Sequence, residues 1–279
     1  METMELCNGI KIPAIGYGTW RTPDGDICEM AVKNAIQCGY THIDTAAVYK
    51  NERSVGKAIR DSKVAREKLF ITSKLWNDCR GYENTKKAFY ESLDRLGLEY
   101  LDLYLIHWPN PLAYRDCWEE MNAKTWRAME ELYEEGKIKA IGVSNFRIHH
   151  LESLMKSARI MPMVNQIECT LGFTQQDVID YCQQHDIVVE GWSPLGSGRL
   201  FTSEALHSFT KKYEKSAAQI TLRYLLEKGV LPLPKSTNPQ RMKENLDVFD
   251  FVLEEDDIAR MDALTVQIHS GNNPDTVNF

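Results

Sequence analysis

The stretch Tyr100–Trp108, YLDLYLIHW, decides the architecture. From Asp102 onward, DLYLIHW is apolar on both faces of an extended chain. A strand that hides both faces belongs in a sheet covered on both sides, as in parallel α/β folds. On its N-terminal side lies a helical pattern with Ala88, Phe89, Ser92, Leu93 and Leu96 on one stripe and Gly97 as its stop; on the other side, after a long loop from Pro109 to about Asn122, comes a second with Trp126, Met129, Leu132 and Tyr133, ending at Gly136. Helix, strand and helix in this order make a βαβ repeat, and the repeat extends in both directions.

Upstream, Met4–Cys7 and Gly9–Ile12 read as a hairpin around the Asn8-Gly9 turn. A strand Ala14–Gly18 follows. The next helix is signed by Thr22-Pro23 at its start, by a stripe of Ile27, Met30, Ala31, Asn34, Ala35 and Cys38, and by Gly39 at its end. Strands at Thr41–Asp44 and Leu69–Lys74 bracket a helix from about Asn51 with Val55, Ala58 and Ile59 inward. Downstream come strands Lys137–Val143, Met163–Ile167, Ile187–Trp192 and Val230–Leu233, with helices between them; Ser216–Gln219 is a capping box. Two more helices, near Pro239–Val248 and Glu254–Leu264, precede a polar tail. Eight strands, each followed by a helix, predict a (β/α)8 barrel with an N-terminal hairpin and extra C-terminal helices. No Pro- or Ser-rich linker divides the chain, so residues 1–279 read as one domain. The competing fold, an open doubly wound sheet, calls for G-x-G-x-x-G after the first strand, and GYGTWRT lacks the third glycine.

Composition narrows the function. The 279 residues are 43% hydrophobic and 26% charged, with a formal net charge of −7. An acidic balance argues against a nucleic-acid surface. No segment approaches the roughly 20 uncharged apolar residues of a membrane helix, and the N-terminus has no signal-peptide pattern. Seven cysteines, an odd count without C-x-x-C, read as reduced thiols of a cytoplasmic protein. No His, Cys and Asp residues sit at metal-ligand spacing, so no metal is expected.

Active sites of barrels lie at the C-terminal ends of the strands. Four polar residues fall there: Asp44 after strand two, Tyr49 in its loop, Lys74 ending strand three and His107 ending strand four. Each alone could be a cap, a rim aromatic, a surface charge or a satisfied core histidine, but neighbouring strands deliver all four to one mouth. A phenol near pKa 10 is a poor acid at neutral pH, and a neighbouring ammonium lowers that pKa. Lys74 can do this if Asp44 keeps it charged. His107 can orient a carbonyl oxygen, and Tyr49 can protonate it as a hydride reaches the carbon. No side chain supplies a hydride, so a cofactor must. Leu233–Asn245, LPLPKSTNPQRMKEN from Leu231, places Lys235, Arg241 and Lys243 beside Ser236 and Thr237, with Pro239 suited to the first turn of a helix. That is a phosphate-binding pattern where barrels commonly hold phosphate. Ser193–Gly198, SPLGSG, is small enough to admit a pyrophosphate.

Three motifs, GYTHIDTAAVYKNERSVG, KAIGVSNF and LPKSTNPQRMKEN, resemble those of the aldo-keto reductases, and the resemblance runs along essentially the whole chain. Thr41 departs from the family's usual basic residue. The resemblance implies that Asp44, Tyr49, Lys74 and His107 form the catalytic tetrad, with Tyr49 as acid. It implies that Ser144, Asn145 and Gln166 hold the nicotinamide carboxamide and that Trp192 stacks on the ring. Ser193, Leu195 and Gly196 would follow the pyrophosphate. Lys235, Ser236, Thr237 and Arg241 would hold the 2′-phosphate of NADPH, with Glu244 and Asn245 near the adenine. Trp20, Trp76 and Trp108 would wall a substrate pocket for small reactive carbonyls or keto sugars. The short tail looks like the microbial branch that includes diketogluconate and methylglyoxal reductases. The expected enzyme acts as a monomer; a cofactor-binding regulatory protein on the same barrel is the alternative.

Overall fold

The computed structural model describes residues 2–202, 204–264 and 268–279. It opens with the antiparallel pair β1 (Thr3–Glu5) and β2 (Lys11–Pro13). The connection is longer than the expected two-residue turn: Gly9 N–H donates to Leu6 O at 2.8 Å and Leu6 N–H to Ile10 O at 2.9 Å. Cys7, Asn8 and Gly9 thus form a three-residue loop, with Gly9 in the left-handed conformation such a loop requires (φ 81°).

Eight parallel strands follow: β3 (Tyr17–Gly18), β4 (His42–Asp44), β5 (Phe70–Leu75), β6 (Leu101–Ile106), β7 (Ile138–Ser144), β8 (Val164–Glu168), β9 (Val188–Trp192) and β10 (Val230–Leu233). They pair in sequence order from β3 to β10. The seam between β3 and β10 is closed by two bonds, Gly16 N–H to Pro232 O and Gly18 N–H to Pro234 O, both 3.1 Å. Glycine is needed there. A Cβ on Gly16 would stand 2.5 Å from Leu233 Cδ2 and 2.7 Å from His42 Nδ1. The first barrel strand is accordingly two residues long, shorter than Ala14–Gly18.

Helices α1 (Asp26–Cys38), α2 (Glu52–Asp61), α3 (Tyr82–Leu96), α4 (Trp118–Glu134), α5 (Ile148–Met155) and α6 (Gln176–Gln184) join consecutive strands. Between β9 and β10 lie α7 (His207–Tyr213) and α8 (Ala217–Glu227), and α9 (Pro239–Leu246) and α10 (Glu255–Asp262) follow the barrel. Two expectations need correction. The inward face of α1 is Cys28, Ala31, Val32, Ala35 and Ile36, while Ile27 and Met30 are exposed; the helix starts at Asp26 after Gly25 and not at Thr22-Pro23. Helix α4 begins at Trp118, inside the expected loop, and α7 is an addition that sequence periodicity did not reveal. Ser216 and Gln219 do form the capping box of α8.

The strands of YLDLYLIHW behave as their composition demands. Leu101, Leu103, Tyr104, Leu105 and Ile106 are fully buried. Its one charge, Asp102, is used as a tie: its Oδ2 accepts from Arg66 Nη2 at 2.6 Å and from Ile71 N–H at 2.8 Å, joining β6 to the start of β5. The seven cysteines are free thiols. Among the described residues no helix is long and apolar enough to cross a membrane.

Candidate functional site

A cavity of about 1080 Å³ opens at the C-terminal ends of the strands. At its floor, β4 delivers Asp44, the turn after it Tyr49, β5 Lys74 and the end of β6 His107, and all but Lys74 line the opening. Lys74 is wholly buried below them. Its Nζ donates to both oxygens of Asp44 at 2.7 Å, to Thr45 O at 3.0 Å and to Tyr49 OH at 3.4 Å. The Tyr49 ring stands edge-on to His107 with centroids 5.8 Å apart. The sequence-derived set is therefore one contiguous group.

The charges are set by competition between burial and neighbours. Burial opposes the Lys74 ammonium, but the Asp44 carboxylate and Tyr49 outweigh it and raise its pKa. Tyr49 differs from expectation. Burial raises its phenol pKa, Lys74 lowers it and Asp44 raises it, and the net direction is upward. The ammonium moderates the desolvation of the phenol and does not overcome it. Burial, then Lys74 and Arg80, push the His107 imidazole well below its ordinary range, so the ring is neutral and carries one N–H.

Above this floor, β7 ends in Ser144 and Asn145. Asn145 has φ 63°, a left-handed conformation that asparagine tolerates better than most residues. Its Nδ2 donates to His107 O at 2.9 Å and to Ser144 Oγ at 3.1 Å, and its Oδ1 accepts from Trp192 Nε1 at 2.8 Å. Trp192 in turn meets the edge of Trp20 at 6.2 Å. Gln166, from β8, donates to Asp44 Oδ2 at 2.9 Å and to Glu190 Oε2 at 2.7 Å. Ser193 and Leu195 line the next part of the cavity; Gly196 does not, and Ser197 and Gly198, with φ 58° and 86°, take its place.

The far end is the start of α9. Lys235, Ser236, Arg241, Glu244 and Asn245 line it, and Thr237 lies outside the lining. Asn238 caps the helix, accepting from Gln240 N–H at 2.8 Å and Arg241 N–H at 3.2 Å. The helix end thus offers its dipole but has those amides engaged. Anion binding there falls to side chains, and among the described residues Lys235 and Arg241 have no ion-pair partner. Tyr17 OH donates to Ser236 O at 2.6 Å, which fastens this loop to the barrel seam.

Trp20, Trp76 and Trp108 all line the mouth. The tail adds an aromatic wall that sequence reading missed. Phe279 stacks on Trp76 (5.8 Å, 15° between planes) and meets Trp108 edge-on. Its carbonyl accepts from Leu112 N–H at 3.2 Å and Asn77 Nδ2 at 3.4 Å. Asp275 anchors the tail to α5, taking Arg147 Nη1 at 3.1 Å and His149 Nε2 at 2.8 Å, and it faces His150 Nε2 at 3.0 Å. These two histidines and Asp275 are close enough to share a metal ion. His150 Nδ1, however, accepts from Arg147 N–H at 3.1 Å, and burial, with His149 beside it, pushes the ring down to about 3. A neutral ring whose Nδ1 is an acceptor carries its proton on Nε2 and has no lone pair there for a metal.

Glu190 was also missed, although a carboxylate inside the apolar strand VVEGW is a visible anomaly. It is wholly buried, 3.7 Å from His42 Nε2. Burial, then Asp44, push its carboxyl up to about 8, and burial, then Lys74, push His42 down to about 3.

Residues 14–266 match the model of the Aldo/keto reductase family. The chain is 50% identical to the glyoxal reductase of Bacillus subtilis (strain 168), over all of this chain and 98% of that protein. It is similar in structure to an aldo-keto reductase from a Medee basin deep-sea metagenome library, with TM-score 0.93, 43% identity, and 99% and 100% of the two chains covered. A variant of Gox0644 in complex with NADPH matches with TM-score 0.91, 39% identity, and 100% and 99% coverage.

Proposed function

Because the chain belongs to the aldo/keto reductase family, it is an oxidoreductase that reduces carbonyl groups with NADPH, and we propose that Tyr49 is its general acid. The observation that carries the assignment is the 3.4 Å contact between Lys74 Nζ and Tyr49 OH at the floor of the cavity. Lys74, held charged by Asp44, stabilises the tyrosinate left when the phenol gives up its proton. His107, neutral and beside Tyr49, donates its single N–H to the carbonyl oxygen and fixes the angle at which Tyr49 reaches it. General acid help of this kind contributes roughly 10²–10⁴ in rate.

The residues present fit NADPH. Lys235 and Arg241, without ion-pair partners among the described residues, stand at one end of the cavity, and polar groups of Ser144, Asn145 and Gln166 stand at the other. Lys235, Ser236 and Arg241 would hold the 2′-phosphate, as Arg and Lys pair well with phosphate; Thr237 lies alongside. Ser193 and Leu195 would flank the pyrophosphate, with Gly196 behind them, and Glu244 and Asn245 would meet the adenine. Trp192 would cover one face of the nicotinamide. When bound, NADPH supplies the hydride that the side chains cannot.

The mouth favours small, flat or reactive carbonyls, because Trp20, Trp76, Trp108 and Phe279 give it aromatic walls while Asp44, Tyr49 and His107 lie at its base. The glyoxal reductase relative supports dicarbonyl substrates. The site is complete within one chain, which supports action as a monomer, and free cysteines support a cytoplasmic setting. The test is Tyr49→Phe, with NADPH oxidation followed against glyoxal and NADPH binding followed by protein fluorescence. Turnover should fall at least 100-fold while affinity stays within a few-fold. Near wild-type turnover would refute the acid assignment, and tight NADPH binding by the wild type with no turnover of any aldehyde would favour a regulatory role.

A further inference from the structure

Gln166 sits where the cofactor's amide is placed by the reading above, and both of its own N–H groups are already committed. Nε2 donates to Asp44 Oδ2 at 2.9 Å and to Glu190 Oε2 at 2.7 Å. The opposite amide orientation would set Oε1 against the Asp44 carboxylate, which pairs with Lys74 at 2.7 Å. Asp44 thus fixes which end of the amide is Nε2, and Glu190 holds the second N–H and with it the tilt of the amide plane. Only Oε1 remains, and an amide oxygen is an acceptor. Gln166 can then recognise the N–H₂ of a primary carboxamide and cannot recognise a carbonyl.

Asp44 alone leaves one Gln166 N–H unassigned. Glu190 takes it. Its side chain is wholly buried on β9, and the groups around it are Asp44 and His42 on β4, Lys74 on β5 and Gln166 on β8; β10 contributes no titratable residue. Thr72 Oγ1 occupies His42 Nε2 at 3.0 Å. Among the described residues Glu190 Oε1 has no hydrogen-bond partner, and the carboxyl's hydrogen bond is the one to Gln166.

We propose that Glu190 is a positioning residue: it locks Gln166 so that the amide oxygen alone faces the cofactor's carboxamide. This rests on the reading that Gln166 meets that group. The lock makes the site read the cofactor's amide N–H₂ as such, so an otherwise identical dinucleotide lacking those protons should bind less well.

The experiment compares dissociation constants, by quenching of protein fluorescence, for NADP⁺ and for its 3-acetylpyridine analogue, in which an acetyl group replaces the amide. One neutral hydrogen bond corresponds to about five-fold discrimination. Wild type should show it. Glu190→Leu should bring the ratio close to one, and Glu190→Gln, which keeps an acceptor for Gln166, should restore it. Gln166→Leu is the control for the underlying reading. If Gln166→Leu abolishes the discrimination and Glu190→Leu keeps it in full, the positioning role is overturned while the reading of Gln166 stands. If Gln166→Leu keeps it, that reading fails and the proposal falls with it. Should Glu190→Leu not fold, Glu190→Thr removes the same acceptor with a shorter, β-branched side chain, and the same two outcomes apply.

Discussion

Lys74 and Asp44 form a buried ion pair whose strength can be measured without any substrate. Lys74 is fully buried, and its Nζ lies 2.7 Å from both Asp44 oxygens. At an effective dielectric of about 20, charges at such a distance attract by roughly 6 kcal/mol, most of which is offset by the loss of hydration. Removing one partner exposes the full imbalance. In Lys74→Met, Asp44 keeps only Gln166 as a donor, and the protein should lose about 3–5 kcal/mol. Asp44→Asn should lose a similar amount, since the ammonium keeps Thr45 O and a neutral amide in place of a carboxylate. The double variant Lys74→Met with Asp44→Asn has neither charge, and it should lose well under the sum, with a coupling of about 2 kcal/mol or more. The assay is urea unfolding of the cofactor-free protein, supported by thermal melts, where a loss of 3–5 kcal/mol lowers Tm by roughly 10 °C for a chain of this size. Losses that add to within about 0.5 kcal/mol would show that the two groups do not interact, and with that the account of how Lys74 stays charged would fail.

Three further outcomes are expected. Arg241→Ala should weaken NADPH by at least ten-fold and leave NADH nearly unchanged in titrations followed by protein fluorescence; equal losses would mean that Arg241 does not contact the 2′-phosphate. Phe279→Ala should raise KM for aromatic aldehydes several-fold while kcat for glyoxal stays within two-fold, because it removes a wall and touches no reacting atom; an unchanged KM series would remove Phe279 from the pocket. Glu190→Gln should flatten the pH dependence of stability. The folded carboxyl is pushed up from about 4.5 to about 8, so across that window the folded state holds a proton that the unfolded chain releases, and wild-type stability falls as pH rises, by up to about 1.4 kcal/mol per unit from this group. Urea unfolding at pH 5 and pH 8 should therefore show the variant gaining on wild type at the higher pH; parallel profiles would mean that Glu190 is ionised in the fold.

The barrel was legible because its signals are of kinds that sequence carries well. YLDLYLIHW could be placed in a doubly covered sheet from composition alone, and Gly39, Gly97 and Gly136 closed their helices where expected. The clustering of Asp44, Tyr49, Lys74 and His107 was legible because strand order fixes which ends are neighbours. What escaped depended on tertiary context. The inward face of α1 is chosen by what packs against it, so Ile27 and Met30, apolar yet exposed, misled the stripe. The upward shift of Tyr49 follows from its desolvation among the groups packed at the cavity floor, which no motif states. Phe279 reaches the pocket through Asp275, more than a hundred residues from its partners Arg147 and His149, and pairings of that range leave no local pattern.

The pairing of Lys74 with Asp44 has a second consequence for an enzyme that admits aldehydes. A free primary amine at the floor of such a cavity would add to each incoming carbonyl and end as a carbinolamine or imine. The Asp44 carboxylate keeps the Lys74 nitrogen without a lone pair, and full burial keeps it out of reach. The contact proposed to prepare Tyr49 as the acid thereby also makes Lys74 inert toward carbonyl compounds, so the enzyme is protected from slow modification by its own substrates.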